Sequence, residues 1–206
     1  MKKLLLPPSP RSIIAAISVV SWIWLFAVVP TGAQCTYQVM RKGKPIGKVQ
    51  TYTMQTNAGR LYGLTMDVRA SVIIPMHVQI QLMNLCNEKE DLTEARFSKT
   101  INNTSPTQHS IRTNASGYDL VANNKQSKLD GIISFSSLLL YFKEPVQQQQ
   151  IFSETHLQWL PLQKMGEGVY QIKTPDGYYT TYWFQKGVLE KVEGENMFGK
   201  VQFVKL

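Results

Sequence analysis

Two Gly-Lys pairs, Gly43-Lys44 and Gly47-Lys48, stand in the stretch RKGKPIGKVQ, residues 41–50. Glycine beside lysine is the composition of a phosphate cradle, where backbone N–H groups and an ammonium hold the anion. The spacing fails the test. A Walker loop needs four residues between its glycines and a hydroxyl after the lysine. Here three residues separate Gly43 from Gly47, and Val49 follows Lys48. Such a loop must also open a helix whose first N–H groups face the phosphate. The next residues, VQTYTMQT, are rich in β-branched and aromatic types, and Pro45 fixes φ inside the loop. The stretch reads as a turn between two strands. The alternation carrying Tyr37 and Val39 slips out of step after it, which predicts a β-bulge.

Other residues offer chemistry of lower specificity. Glu144 and Glu154 flank a glutamine run. They would serve as acid and base of a hydrolase if the chain folded back; solvated loop charges are the ordinary alternative. Asp176 reads as turn chemistry, and no Gly-x-Ser-x-Gly elbow occurs. Cys86 with His77 or His109 would imitate a thiol dyad, but nine residues of strand put His77 roughly 30 Å from Cys86. His77, His109 and His156 are isolated from other ligand types. No metal, no cofactor and no catalytic residue is expected, and an enzyme is the less favoured class.

Aromatic residues are the better lead. In YYTTYWF, Tyr178, Thr180, Tyr182 and Phe184 share one face of a strand, and Tyr179, Thr181 and Trp183 the other. One face is core; a second ring-bearing face suits an apolar ligand. Within the most apolar stretch after the N-terminal region, IISFSSLLLYFKEP, the piece LLLYF would lie across the open side of a curved sheet as its lid; the alternative is that both ring-bearing faces are covered, one by the sheet and one by a short helix. The serines of that stretch would cap a short helix over Leu138 to Tyr141, stopped by Pro145. Leu138, Tyr141, Phe142, Tyr182 and Trp183 are the candidate apolar-ligand residues.

Compartment is read from the N-terminus. Lys2, Lys3 and Arg11 precede the apolar run Ile13 to Val29, and Thr31 and Ala33 are small residues before Gln34. This is the three-part pattern of a secretory signal, with cleavage expected after Ala33. An uncleaved membrane anchor is the main alternative, and lipid attachment at Cys35 a lesser one. Removal leaves residues 34–206, and losing three cations lowers the formal charge from +8 to +5. The remaining basic residues are scattered, so no nucleic-acid partner is expected. A membrane contact is expected only through the N-terminal segment if it stays. A secreted or periplasmic location permits a disulfide between Cys35 and Cys86, although a simple meander would hold them apart.

The rest reads as strands. Leu64, Met66, Val68, Ala70 and Val72 alternate with polar residues, as do Val78, Ile80 and Leu82. Asn87 to Asp91 is a hairpin tip; Ala95, Phe97 and Ile101 share the next face. Residues 123–131 read as a soluble connector. TPDG and QKG mark turns among strands Val169 to Lys173, Tyr178 to Phe184, Val188 to Glu193 and Lys200 to Lys205. The fold class is mainly β, a single domain over 34–206, an antiparallel meander with one short helix.

Several pieces, taken in order, resemble one family. They are YQVMRKGKPIGKVQTY, ASVIIPMHVQIQ, SFSSLLLYFKEP, IFSE, TPDGYYTTYWFQKGVLEKVE and GKVQFVKL. The chain is identified by them as similar to domain-of-unknown-function family 6134, exported bacterial proteins. The resemblance implies a strongly curved sheet or half-barrel, by analogy with periplasmic lipoprotein carriers, and supplies no catalytic residues. Cys35 and Cys86 depart from its pattern. The expected role is non-enzymatic binding of a lipid-like or other apolar ligand, or of an envelope partner. The alternatives are a hydrolase of envelope polymers and a structural domain tethered by the N-terminal helix.

Overall fold

A computed structural model describes residues 34–71, 75–196 and 199–206. The expected signal segment, residues 1–33, and Val72 lie outside them. Fourteen strands form one antiparallel sheet. In chain order they are β1 Gln34–Arg41, β2 Lys44–Thr56, β3 Gly59–Ser71, β4 Pro75–Cys86, β5 Leu92–Ile101, β6 Thr107–Thr113, β7 Gly117–Ala122 and β8 Lys125–Asp130, then β9 Gln150–Ser153, β10 Gln158–Gly166, β11 Val169–Lys173, β12 Tyr179–Gln185, β13 Val188–Asn196 and β14 Gly199–Lys205. The spatial order is β8-β7-β6-β5-β4-β3-β2-β1-β14-β13-β12-β11-β10-β9. From Gln34 the described residues therefore run from mid-sheet and meander to one edge. Residues 131–149 carry the chain to the opposite edge, and it meanders back until β14 pairs with β1.

Hairpin chemistry sets the register. Lys42 and Gly43 both have positive φ, 49° and 73°, so the opening stretch is a tight turn of the twist-compatible kind. Val39 pairs with Gly47 and Met40 with Pro45, which leaves Ile46 as the extra residue of the expected bulge. Lys186 and Gly187 make the same turn, and Gly177 N–H donates to Thr174 O at 2.9 Å in the TPDG turn.

The sheet curls strongly. β4 and β9 stand nine places apart in the order, about 43 Å in a flat sheet. Yet Asn84 Nδ2, on β4, donates to Glu154 Oε1, just past β9, at 2.5 Å. His109 Nδ1, on β6, donates to the Glu154 carbonyl at 3.1 Å. The inner face collects the alternating apolar positions, among them Tyr37, Val49, Leu64, Leu82, Phe97, Ile111, Leu120, Tyr170 and Val192, all buried.

Residues 131–149 run through this interior. Ile133 O accepts from Leu92 N–H, Ile133 N–H donates to Tyr118 Oη, and Phe135 O accepts from Phe152 N–H. Next comes a 3-10 turn, Ser137–Tyr141, with Leu138, Leu139 and Leu140 essentially without exposed surface. Each such leucine contributes about 2 kcal/mol of apolar burial. The expected helix is thus one tight turn. The expected serine cap is not made, because Ser136 makes no side-chain cap bond. Its hydroxyl instead accepts from Asn84 Nδ2 at 2.8 Å.

Two further expectations are corrected. Residues 123–131 are not a connector: Asn123 and Asn124 turn with positive φ, and β8 pairs with β7 as an edge strand. Its single apolar side chain, Leu129, hides the alternation. β10 is an addition to the expected strands, because Pro161 interrupts its pattern; at a site opposite Gln150 the sheet tolerates it. Cys35 and Cys86 are not bonded to each other here and lie on strands three places apart in the sheet, the separation a meander was expected to give.

Candidate functional site

Two features of the interior differ in kind: a closed polar knot near the 3-10 turn, and an apolar groove at the other end of the same strands.

The knot is built around Glu154, whose exposure is 0%. Its Oε1 accepts from Asn84 Nδ2 at 2.5 Å and from Leu138 N–H at 3.2 Å; its Oε2 accepts from Ser137 Oγ at 2.5 Å. The carboxylate does what the serine was expected to do, satisfying a free N–H at the start of the turn. It does so from another element, so it also pins residues 131–149 to the end of β9. Asn84 is equally buried, and its Oδ1 has no hydrogen-bond partner among the described residues. Glu144 is elsewhere engaged, accepting from Tyr170 Oη at 2.9 Å. No hydrogen bond or ion pair joins Glu144 to Glu154 among the described residues. Glu154 presents no surface to a polymer, and neither reading of it from sequence, solvated charge or acid–base partner, describes what it does.

Four of the five aromatic and apolar candidates come together. The Tyr141 ring centroid lies 5.8 Å from that of Tyr37 and 6.4 Å from that of Tyr182, both edge-on. Phe142 packs edge-on against Tyr62 at 5.0 Å, and Leu138 is wholly buried. Burial, aided by the neighbouring phenols, pushes the Tyr141 hydroxyl well above its ordinary range. Lys143 extends the fastening by an ion pair with Glu90, whose carboxyl it holds below the usual range. Among the described residues these side chains are packed against the interior of the sheet. Trp183 is not with them. It lies on the outer face, paired across strands with Val169 and Lys191, and the Lys191 ammonium stands 3.8 Å from its ring centroid. Alternation along β12 demands this, since Tyr182 and Phe184 point inward.

The groove lies where the 3-10 turn does not reach. β3 and β4 meet that turn near Tyr62 and Asn84, and their inward positions toward the other end are Met66, Val68, Ala70, Met76 and Val78. With Val39, Ile46, Val201 and Phe203 these line a cavity of about 140 Å³. Arg41 is the one charged residue in its wall among the described residues. The sequence marks the face but not the opening. The signal lies in the long run of inward apolar positions from Leu64 to Ala70, longer than residues 131–149 can cover. Asn84 is likewise visible as an amide continuing the inward row of Val78, Ile80 and Leu82.

Known proteins agree with this architecture. A crystal structure of a beta-barrel-like protein of domain of unknown function DUF1849 from Brucella abortus superposes with a TM-score of 0.56 and 9% identity, covering 84% of this chain and 94% of that one. At that identity the likeness concerns the fold alone. A comparison with curated proteins finds no match. The model of the domain of unknown function DUF6134 matches residues 37–205. Spanning the whole curled sheet from β1 to β14, that match means that the chain belongs to the DUF6134 family.

Proposed function

We propose that the protein is an exported, non-enzymatic binder of an apolar, lipid-like chain, taken into the open end of the curled sheet. The observation that carries this reading is the lining of the groove: nine apolar side chains and Arg41 around about 140 Å³. That volume is below the ~300–1,000 Å³ of whole small-molecule sites. It suits the end of an acyl chain, whose remainder would stay outside. Met66 and Met76 add adaptable thioether walls, which accommodate chains of varied shape. The groove replaces Tyr141, Phe142 and Trp183 as the binding surface, since the first two are packed against the interior of the sheet and the third faces outward.

Native mass spectrometry of the protein purified from its own cells, followed by denaturing extraction, tests the reading. A co-purified acyl-bearing species released on denaturation is expected, together with a mature mass beginning at Gln34. A protein of bare mass that gains none when mixed with fatty acid or lysophospholipid would overturn it.

A further inference from the structure

We propose that the outer face of β2–β6 is a second binding site, for a neutral, hydroxyl-rich polysaccharide. It is independent of the groove, on the other side of the sheet.

The observation is a single lateral row. Gln50 pairs with Thr65, Thr65 with Gln81, Gln81 with Ser98, and Ser98 with Gln108. All five point outward, because their neighbours Val49, Leu64, Leu82 and Phe97 are buried. Five strands thus present five uncharged amides and hydroxyls in register, a row about 19 Å long at ordinary strand spacing. None of these five side chains hydrogen-bonds to another described residue.

The row runs through two troughs of about 590 and 680 Å³ that share Gln81, Ser98 and Pro106. Both are open to solvent and larger than the apolar groove. Of the charged residues lining them, two are paired, and Lys48 in the wall of the second trough has no ion pair among the described residues. Arg96 binds Glu94 at 2.8 Å, and Asp67 takes His77 at 3.0 Å.

Chemistry selects the ligand. An amide or a hydroxyl both donates and accepts, whereas an ammonium only donates and a carboxylate only accepts. Sugar hydroxyls also do both, so a repeating sugar meets a matched partner at each strand. An acidic polymer would find no concentrated positive charge along the row. An apolar chain would leave its amides without partners, at a cost per group that prevents binding.

Affinity electrophoresis of the purified protein through gels containing dextran, laminarin or mannan tests this, with alginate and heparin as anionic polymers. Retardation by at least one neutral polymer is expected. It should fall at least ten-fold in apparent association constant for Gln81→Leu combined with Ser98→Val, at unchanged melting temperature. If that pair does not fold, Gln108→Leu at the exposed end of the row reads the same effect. No retardation by any neutral polymer, retardation by the anionic polymers alone, or retardation that survives these substitutions would overturn the proposal.

Discussion

Asn84 donates to Glu154 at 2.5 Å although seventy residues separate them along the chain. Nine strand places separate their elements in the sheet. The bond is the clearest mark of how far the sheet curls. It also fixes residues 131–149, because the same carboxylate holds Ser137 and Leu138.

Removing that carboxylate should therefore loosen the whole interior. Glu154→Ala leaves one of the two Asn84 amide N–H groups, the Ser137 hydroxyl and the Leu138 N–H without an acceptor. Unsatisfied buried groups cost about 1–3 kcal/mol each, so a total loss of at least ~3 kcal/mol is expected. Glu154→Gln keeps one acceptor oxygen and should lose about half as much. Urea unfolding midpoints measure both; an Ala variant within ~0.5 kcal/mol of the parent contradicts the clamp.

Alkali should destabilise the fold through buried acids. Burial pushes the Cys86 thiol from its ordinary 9.0 up to about 12, and the Tyr170 hydroxyl to about 12, the latter helped by Glu144. Both are raised in the folded state, so the unfolded chain loses these protons first. Their contribution is whole below about pH 9 and is lost as pH rises toward 12. Urea midpoints measured across that window should fall steadily. At pH 8 Cys86 should resist iodoacetamide until the chain unfolds; prompt alkylation of folded protein at Cys86 argues against its burial.

Trp183 and Phe142 should behave oppositely to a shared ligand site. Phe142→Ala removes a ring packed on Tyr62 and should cost about 3 kcal/mol. Trp183→Ala loses an outer-face contact with Lys191 and should cost about 1 kcal/mol, without changing acyl-chain binding. Thermal unfolding and a binding titration on each variant separate the two. Loss of binding in the Trp183 variant would return the ligand site to β12.

Much of this architecture is readable from residues alone. Period-two runs such as Leu64 to Ala70, and turn pairs such as Lys186-Gly187, carry local information that survives folding. β8 escapes because an edge strand with only Leu129 apolar needs no alternation to be stable. β10 escapes because proline is a breaker except beside an edge. The groove residues are legible as one face, but which part of that face stays open depends on where residues 131–149 lie. That path depends on Asn84 meeting Glu154, a contact across nine strands that no local pattern encodes. Glu154 itself looks like any loop carboxylate until its burial is known.

Ala70 offers the most direct measurement. It lines the groove, is half-buried, and pairs with Met76 at a site where a larger ring would occupy the cavity rather than the packed interior. Titration of the purified protein with cis-parinaric acid, a fluorescent acyl chain, compares the parent with Ala70→Trp. The account predicts saturable one-site binding that weakens at least ten-fold in the variant at an unchanged melting temperature. Binding that does not saturate, or that is equal in both proteins, would contradict it.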